Sequence, residues 1–380
     1  MDKRKIAWLT LALIPELGPR SLWKLYRAFG GAEEILSTRE TELMRRCSIR
    51  ARTARAIVEK RALKDPFSEW DRLQACGVKF ITWEDEEYPA LLRHIPDPPL
   101  FLFAKGSYRP EHAAAVAIVG TRKASARGLM IAERLATDLA RHGITVVSGL
   151  AIGIDSAAHR GALKAGGDTI AVMGSGLDVP YPRVNRDLIE QIAGSGVVFS
   201  EYPLGTPPEK WRFPLRNRIV SGLSAGVVVV EAGLKSGALI TARLALEQGR
   251  EVFAVPGPVG DERAAGANKL IKEGAKLVED VRDIMEECAS WFKDLSTFRA
   301  GSLRPREIIS ASPEQSQKGL GSPRDEELKI LQVLGSEPEH IDKICEKTGL
   351  ACASVLSLLT MMELKGLVRQ LPGKYFIKER

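Results

Sequence analysis

The chain has 380 residues, which is too long for a single hydrophobic core and is typical of two or three domains. Hydrophobic residues make up 44% and charged residues 27% of it, a balance that excludes a disordered chain and a membrane-embedded one. The net charge of +7 is compatible with an anionic partner, and residues 1–62 alone carry an excess of the same size, with 14 basic and 7 acidic side chains.

The start of the chain has the basic and apolar parts of a signal peptide, but no small-residue cleavage site follows them. No apolar run reaches the length of about 20 residues that a membrane-spanning helix needs. Residues 1–62 are instead predicted to form a small domain of short helices, one of which ends at Gly30-Gly31. The turn at 14–19 resembles a helix-hairpin-helix, in which backbone N–H groups face a phosphate. The alternative is a helical cap that only packs against the next domain.

Residues 76–290 are predicted to form a second domain, in which β-branched runs alternate with helical segments. Such a pattern indicates a Rossmann-like, doubly wound and mostly parallel sheet with helices on both faces. Ligands of this fold bind beyond the carboxyl ends of the strands. The predicted strands lie at 115–119, 144–147, 169–172, 197–199, 227–230 and 252–255.

The last two predicted segments are a linker and a small domain. Residues 291–323 are rich in Ser, Pro, Gly and charge, which is typical of a flexible linker. Residues 324–380 are predicted to form three helices, over 326–334, 341–348 and 353–367, and a hairpin, which is a winged-helix arrangement. Its third helix, over 353–367, lacks the basic and amide side chains of a DNA-reading helix. We therefore expect a protein-contact or regulatory module, with a merely structural cap as the alternative.

Three consecutive predicted strands end in loops of glycines, hydroxyl residues and basic residues. Gly120 permits a tight turn off the first strand, Ser125 can cap the next helix, and the exposed N–H groups together with Arg122 suit a phosphate. The candidate phosphate-binding residues of the three loops are Gly120, Thr121, Arg122, Lys123, Ser148, Gly149, Gly153, Gly174, Gly176, Arg183 and Arg186.

A further candidate is the segment 213–218, in which Arg216 and Arg218 lie on either side of Asn217. Arginine binds phosphate through paired hydrogen bonds or stacks on a base, so this segment suits a single strand, whose bases are free to stack. The aromatic Tyr181 strengthens this interpretation.

Other charged residues of the region are interpreted as structural. One of the two arginines is expected to pair with Glu201 or Glu231 inside the domain. Asp155 is interpreted as an acid at a helix start, and His159, one turn later, as a structural histidine.

No cofactor, metal site or catalytic residue is expected. The loops lack the Gly-x-Gly-x-x-Gly dinucleotide pattern and the Walker A pattern, and no nucleophile or paired-carboxylate signature is present. The five cysteines include no C-x-x-C pair, which argues against a zinc site or a disulfide framework and favours a reducing, cytoplasmic location.

These motifs resemble, in the same order, those of the DNA-processing protein A (DprA/Smf) family, over roughly residues 80–275. The matching strings are Ile118-Val119-Gly120-Thr121-Arg122, Val147-Ser148-Gly149-Leu150-Ala151-Ile152-Gly153-Ile154-Asp155, Gly174-x-Gly176-Leu177-Asp178, Tyr181-Pro182, Phe213-Pro214-x-Arg216-Asn217-Arg218-Ile219 and Phe253-Ala254-Val255-Pro256-Gly257.

The resemblance implies a non-catalytic single-stranded DNA-binding protein of DNA processing and natural transformation. Such a protein forms a homodimer through the Rossmann-like domain, protects incoming strands and loads the RecA recombinase onto them. By position, Arg122 falls on the family's Gly-x-Arg DNA contact and Arg183 on its basic position after Tyr-Pro. Two alternatives remain: an enzyme of the nucleotide phosphoribohydrolase type, whose phosphate loop is partly echoed at 231–237, and a winged-helix regulator of duplex DNA.

Overall fold

The computed structural model describes residues 2–289, 291–292, 333–334, 339–349, 355, 358–359, 362, 368–371 and 375–378. The chain divides into two compact units, Met1–Arg304 and Pro305–Arg380. Among the described residues, no helix combines the length and the apolar character that crossing a membrane requires.

Six helices form the start of the first unit. As predicted, α2 ends at Gly30, which adopts the left-handed conformation. Trp8 and Leu25 of these helices share one apolar core with Phe103 and Val198 of the sheet, so the helical region packs directly on the α/β domain. The six helices are α1 (Lys3–Ala12), α2 (Pro19–Phe29), α3 (Ala32–Ser37), α4 (Glu40–Cys47), α5 (Ala51–Val58) and α6 (Pro66–Ala75).

A nine-stranded sheet forms the centre of the first unit, in the order β1-β2-β6-β5-β4-β3-β7-β8-β9. The strands are β1 (Val78–Thr82), β2 (Phe101–Gly106), β3 (Ala115–Val119), β4 (Thr145–Ser148), β5 (Thr169–Met173), β6 (Val197–Ser200), β7 (Gly226–Val229), β8 (Glu251–Ala254) and β9 (Lys276–Leu277). Strands β3 to β9 are parallel, and β1 and β2 add an antiparallel edge next to β6. The predicted mostly parallel α/β fold is confirmed, whereas β1, β2 and β9 are not among the predicted strands.

Helices cover both faces of the sheet, as the continuous apolar strands require. Alternate residues of each strand point to opposite faces, so that Val116 and Ile118 pack on one side and Ala117 and Val119 on the other. The seven helices that follow the first strands are α7 (Ala126–Arg141), α8 (Ile154–Lys164), α9 (Arg186–Ser195), α10 (Arg212–Gly222), α11 (Gly237–Glu247), α12 (Ala265–Lys272) and α13 (Val281–Glu287).

The strand order reverses at β3. From β3 the chain builds β4, β5 and β6 on one side and then returns to build β7, β8 and β9 on the other. The loops that follow β3 and β7 therefore diverge, and a crevice opens between them at the carboxyl edge of the sheet. Open α/β sheets bind their ligands at this switch point.

The described residues of the second unit include a three-stranded antiparallel sheet in the order β10-β12-β11 and one helix. These elements are β10 (Glu339–His340), α14 (Ile341–Thr348), β11 (Val368–Leu371) and β12 (Tyr375–Lys378). Ile344 and Phe376 are buried in its core. The predicted helix at 341–348 and the predicted hairpin are present. Residues 291–292, at the start of the predicted linker, are helical. The rest of the linker and most of the helices predicted at 326–334 and 353–367 lie outside the described residues.

Candidate nucleic-acid interface

A pocket of about 480 Å³ occupies the crevice between the loop after β3 and the start of α11. One wall is Gly120, Thr121 and Arg122, and the opposite wall is formed by residues 236–241. Arg216 and Asp155 lie below, and Lys210, Phe213, Pro214 and Asn217 close a third side. A nucleotide-sized ligand fits a pocket of this volume.

The start of α7, next to this pocket, is occupied by a carboxylate of the protein itself. Glu231 accepts hydrogen bonds from the backbone N–H of Ser125 (2.9 Å) and from its hydroxyl (2.5 Å), and its carbonyl accepts one from the N–H of Thr121 (2.7 Å). Ser125 also caps α7, as predicted, by accepting the N–H of Gly128. The N–H groups of Thr121 and Ser125 are therefore not free to bind a phosphate.

The start of α11 offers an alternative anion site across the pocket. Ser236 caps this helix through a hydrogen bond from Ala238 N–H, and Gly237 is exposed. A Cβ atom at Gly237 would meet nothing within 4 Å, so a ligand can approach its backbone closely. A helix start favours negative charge through its N–H groups and its dipole. These residues were missed as site residues, although a Ser-Gly pair at a strand's carboxyl end was the available signal.

Arg216 and Asp155 form a buried charged pair beneath the pocket. The Arg216 guanidinium donates to the carbonyls of Gly149 (2.6 Å) and Val172. Burial lowers the pKa of Arg216 to about 10, a shift that Asp155 opposes. Burial raises the pKa of Asp155, and the nearby Arg216 and the N–H of Ala151 oppose this. Arg216 is thus held in place by two backbone carbonyls, with the Asp155 carboxylate close enough to stabilise its charge.

Gly149 leaves room for this pair. A Cβ atom at position 149 would lie 2.6 Å from the Arg216 guanidinium and 2.8 Å from the Asp155 carboxylate. Any larger residue at this position would displace one of the two charges, so the glycine is required by the site rather than by a turn.

An aromatic surface stands beside the charged groups. The ring of Phe213 lies 5.4 Å from that of Tyr181, at an interplanar angle of 33°. The guanidinium carbons of Arg122 and Arg216 lie 5.4 Å and 6.0 Å from the Phe213 centroid, within the range of cation–π contacts. Tyr181 is 41% exposed, so part of this surface is open to a ligand. The pocket therefore combines phosphate-binding groups with rings on which a base can stack.

Comparison with known proteins identifies the family. The model of the DNA recombination-mediator protein A family matches residues 79–289, and that of the DprA winged helix domain matches residues 312–374. The first match spans more than half of the chain. The chain belongs to the DprA/Smf family.

Its relatives in the DprA/Smf family include Protein Smf of Synechocystis sp., 35% identical over 96% of both chains, and DprA of Bacillus subtilis, 47% identical over 56% of this chain and 71% of the relative. Among solved structures, DprA of Streptococcus pneumoniae is similar with a TM-score of 0.66 and 36% identity, covering 76% of this chain and 99% of that one. DprA of Helicobacter pylori, described with a single-stranded DNA binding mode, matches with a TM-score of 0.50 and 32% identity over 57% of this chain and 97% of that one.

Six of the predicted site residues of this DprA/Smf chain line the pocket. They are Gly120, Thr121, Arg122, Gly149, Arg216 and Asn217. Tyr181, the aromatic residue predicted to support stacking, also lines it, as do Lys210 and Phe213.

The remaining predicted glycines and Ser148 support the loops instead. Ser148 is buried and donates to the carbonyl of Ile118. Gly153 has a φ of 86°, and a Cβ atom there would lie 2.4 Å from the carbonyl oxygen of Thr121. Gly174 lies under Phe213, where a Cβ atom would come within 3.0 Å of the ring. Gly176 is also buried, and a Cβ atom there would come similarly close to the backbone of the loop after β6.

The remaining predicted basic residues do not line the pocket. Arg218 is buried and bonds both oxygens of Glu201, at 2.7 and 2.8 Å, which is the internal ion pair expected for one of the two arginines. Lys123, Arg183 and Arg186 are exposed.

His159 is fully buried, and its Nδ1 lies 2.7 Å from the Thr169 hydroxyl. This contact agrees with the structural interpretation of the histidine.

Proposed function

We propose that this chain binds single-stranded DNA in the pocket at the switch point and that it has no catalytic role. The observation that carries the proposal is that a phosphate site and a stacking surface share one pocket. The described DNA-binding mode of the Helicobacter pylori relative supports the choice of ligand.

The phosphate lies between Arg122 and the start of α11. Arg122 is exposed and forms no ion pair with any residue that the structure describes, so its guanidinium is available to an anion. Ser236 and Gly237 face it with a hydroxyl and a helix start. Lys210 adds a second exposed positive charge at the rim.

A base next to that phosphate stacks on Phe213 and Tyr181. Stacking is tolerant of sequence, because every base has an aromatic face. In a duplex both faces of a base are already covered, so this surface selects an unpaired strand. We accordingly expect little sequence preference among single strands.

A mobility-shift experiment with single-stranded and duplex oligonucleotides of equal length tests the proposal. The single strand should bind more tightly, and replacing Phe213 by Ala should remove much of the preference. Equal or tighter binding of the duplex would contradict it.

The alternative of a nucleotide phosphoribohydrolase is disfavoured by the contacts of Glu231. Glu231, the acidic residue that resembles part of that enzyme's motif, accepts hydrogen bonds from Ser125 at both of its carboxylate oxygens, at the start of α7. Incubation with nucleoside monophosphates should therefore release no free base.

The family also suggests finer roles, which we include in the proposal. These are protection of incoming strands and RecA loading during natural transformation, in the cytoplasm, by a homodimer. We place the second copy on an exposed apolar patch at the β9 end of the sheet, formed by Leu234, Leu246, Val259 and Leu277. Exposed apolar surface of this kind is typical of protein interfaces. The second unit is proposed to contact proteins or regulate binding, since its charges balance.

A further inference from the structure

A second groove lies on the other side of the segment 210–215. It has a volume of about 410 Å³ and separates this segment and the loop after β6 from the helical region at the start of the chain. Trp211, Leu215 and Tyr202 line one wall, and Leu63 and the turn at 14–19 line the other. We name it the lateral groove.

The pocket and the lateral groove share a wall. Lys210, Phe213 and Pro214 face the pocket, whereas Trp211, Arg212 and Leu215 face the lateral groove. Trp211 and Phe213 are separated by a single residue, so their Cα atoms are at most about 7 Å apart. Their side chains face opposite sides of the segment, so a strand that reaches both rings has to pass around it.

Trp211 is built as an exposed stacking surface. Its side chain is 56% exposed, and the guanidinium of Arg212 lies 4.8 Å from its ring centroid and 5.0 Å from that of Tyr202. Arg212 also pairs with Glu209 at 3.1 Å, which holds it between the two rings. Across the groove, Leu63 is 72% exposed. Large apolar side chains left open beside charged ones mark a binding surface.

We infer that the lateral groove carries the continuation of the same DNA strand, with a base stacked on Trp211, an inference that rests on the proposed function of the pocket. The wall shared with the pocket and the charge of the far wall indicate that the occupant is this strand. Residues 1–62, which contribute most of the far wall, have a net charge of +7, which suits a polyanion and not a basic or neutral peptide. The strand then runs from the stacking surface of Phe213, past Lys210, onto Trp211.

The test compares oligothymidylates of about 4 and about 10 nucleotides by fluorescence anisotropy, lengths at the lower end of known single-strand sites. Wild type should bind the longer strand more tightly. Trp211→Ala should bind the short strand as wild type does and lose about 5- to 100-fold in affinity for the longer one, the range expected for a lost stacked base. Trp211→Phe should keep most of the affinity, since it keeps a ring. Leu63→Glu, which places a carboxylate on the opposite wall, should also weaken only the longer strand.

Equal affinities of wild type, Trp211→Ala and Leu63→Glu for the longer strand would overturn the inference. So would a change of oligomeric state in Trp211→Ala without a change in DNA affinity, because the groove would then hold another copy of the chain. If wild type binds neither strand, the proposed function of the pocket itself fails, which separates the two failures.

Discussion

Arg122 and Arg216 line the same pocket, but their guanidinium groups differ in how free they are to bind a ligand. Arg216 is buried, donates to two backbone carbonyls and lies near Asp155, whereas Arg122 is exposed beside the ring of Phe213. A phosphate entering the pocket therefore meets Arg122 as an exposed positive charge.

Replacing Arg122 by Ala should weaken single-strand binding by about 1–3 kcal/mol, the contribution of a charge-assisted hydrogen bond. The slope of log affinity against log salt should flatten by about one unit, because one fewer counterion is released. Titrations at several salt concentrations measure both quantities. Arg127→Ala is the matched control, since Arg127 is exposed on α7 and does not line the pocket. Unchanged affinity of Arg122→Ala in a folded protein would remove Arg122 from the site.

His159 makes stability depend on pH. Burial lowers its pKa to about 3, so the folded protein keeps it neutral, whereas the unfolded chain takes up a proton below about pH 6.5. The unfolded state binds more protons in this range, and the free energy of unfolding falls as the pH falls from 6.5 towards 3.

A residue that cannot take up a proton at position 159 should therefore make the protein increasingly stable relative to wild type as the pH falls. Relative to His159→Gln, wild type should lose about 1.4 kcal/mol of unfolding free energy per pH unit below 6.5. Urea unfolding of both proteins at pH 7.5 and 5.5 measures this difference, in which all other titrating groups cancel. Parallel pH dependences would show that His159 titrates normally.

At the scale of elements, the site depends on how closely α7 and α8 pack beneath it. These helices follow β3 and β4, whose loops supply Arg122 and Gly149. A Cβ atom at Gly161 of α8 would lie 2.3 Å from the carbonyl of Glu133, and Thr137 of α7 donates to the Gly161 carbonyl at 2.9 Å. Gly161 thus sets the distance between the two helices.

Gly161→Ala should destabilise the protein by about 1–3 kcal/mol, because the cost of overpacking exceeds the gain in helix propensity of about 1 kcal/mol. Gly194 in α9 provides the opposite case, since a Cβ atom there meets nothing within 4 Å. Gly194→Ala should be neutral or stabilising by up to about 1 kcal/mol. Thermal and urea unfolding measure the change in stability of both variants. Equal changes for the two would refute the packing argument.

At the scale of the whole molecule, the proposed dimer forms through the apolar patch at the β9 end of the sheet. Leu246 in this patch is 62% exposed, so a charge there is tolerated by a monomer and buried in a dimer. Leu246→Glu should convert a dimer to a monomer in sedimentation velocity. Met130→Glu, an equally exposed site on α7, should leave the dimer intact. A dimer that survives Leu246→Glu would place the interface elsewhere.

The second unit is expected to contribute little to strand binding. Its basic and acidic residues balance at nine each over 324–380, so it gains little from counterion release. A chain that ends at Gly301 should keep single-strand affinity within about threefold, under about 0.7 kcal/mol. A tenfold loss in a folded truncated protein would instead make the second unit a DNA-binding domain.

The sequence by itself determined the α/β architecture and which loops meet at the carboxyl edge of the sheet. Continuous β-branched runs in β3 to β8 can be buried only inside a parallel sheet with two covered faces, so local pattern and fold agree. Parallel strands share their carboxyl edge, so the sequence alone predicts that Gly120, Arg122 and Gly149 are neighbours. The edge strands β1 and β2 escaped prediction because they lie outside this regular alternation of strands and helices.

Only the tertiary structure decided what each polar side chain does. Arg216 and Arg218 are two residues apart in one motif, yet one lines the pocket and the other is neutralised by Glu201. Nothing in the sequence states that Glu231 occupies the start of α7 or that Ser236 faces Arg122. Spacing along a chain fixes which face of an element a residue occupies, but the partner on that face comes from distant segments, and the folded chain alone brings them together.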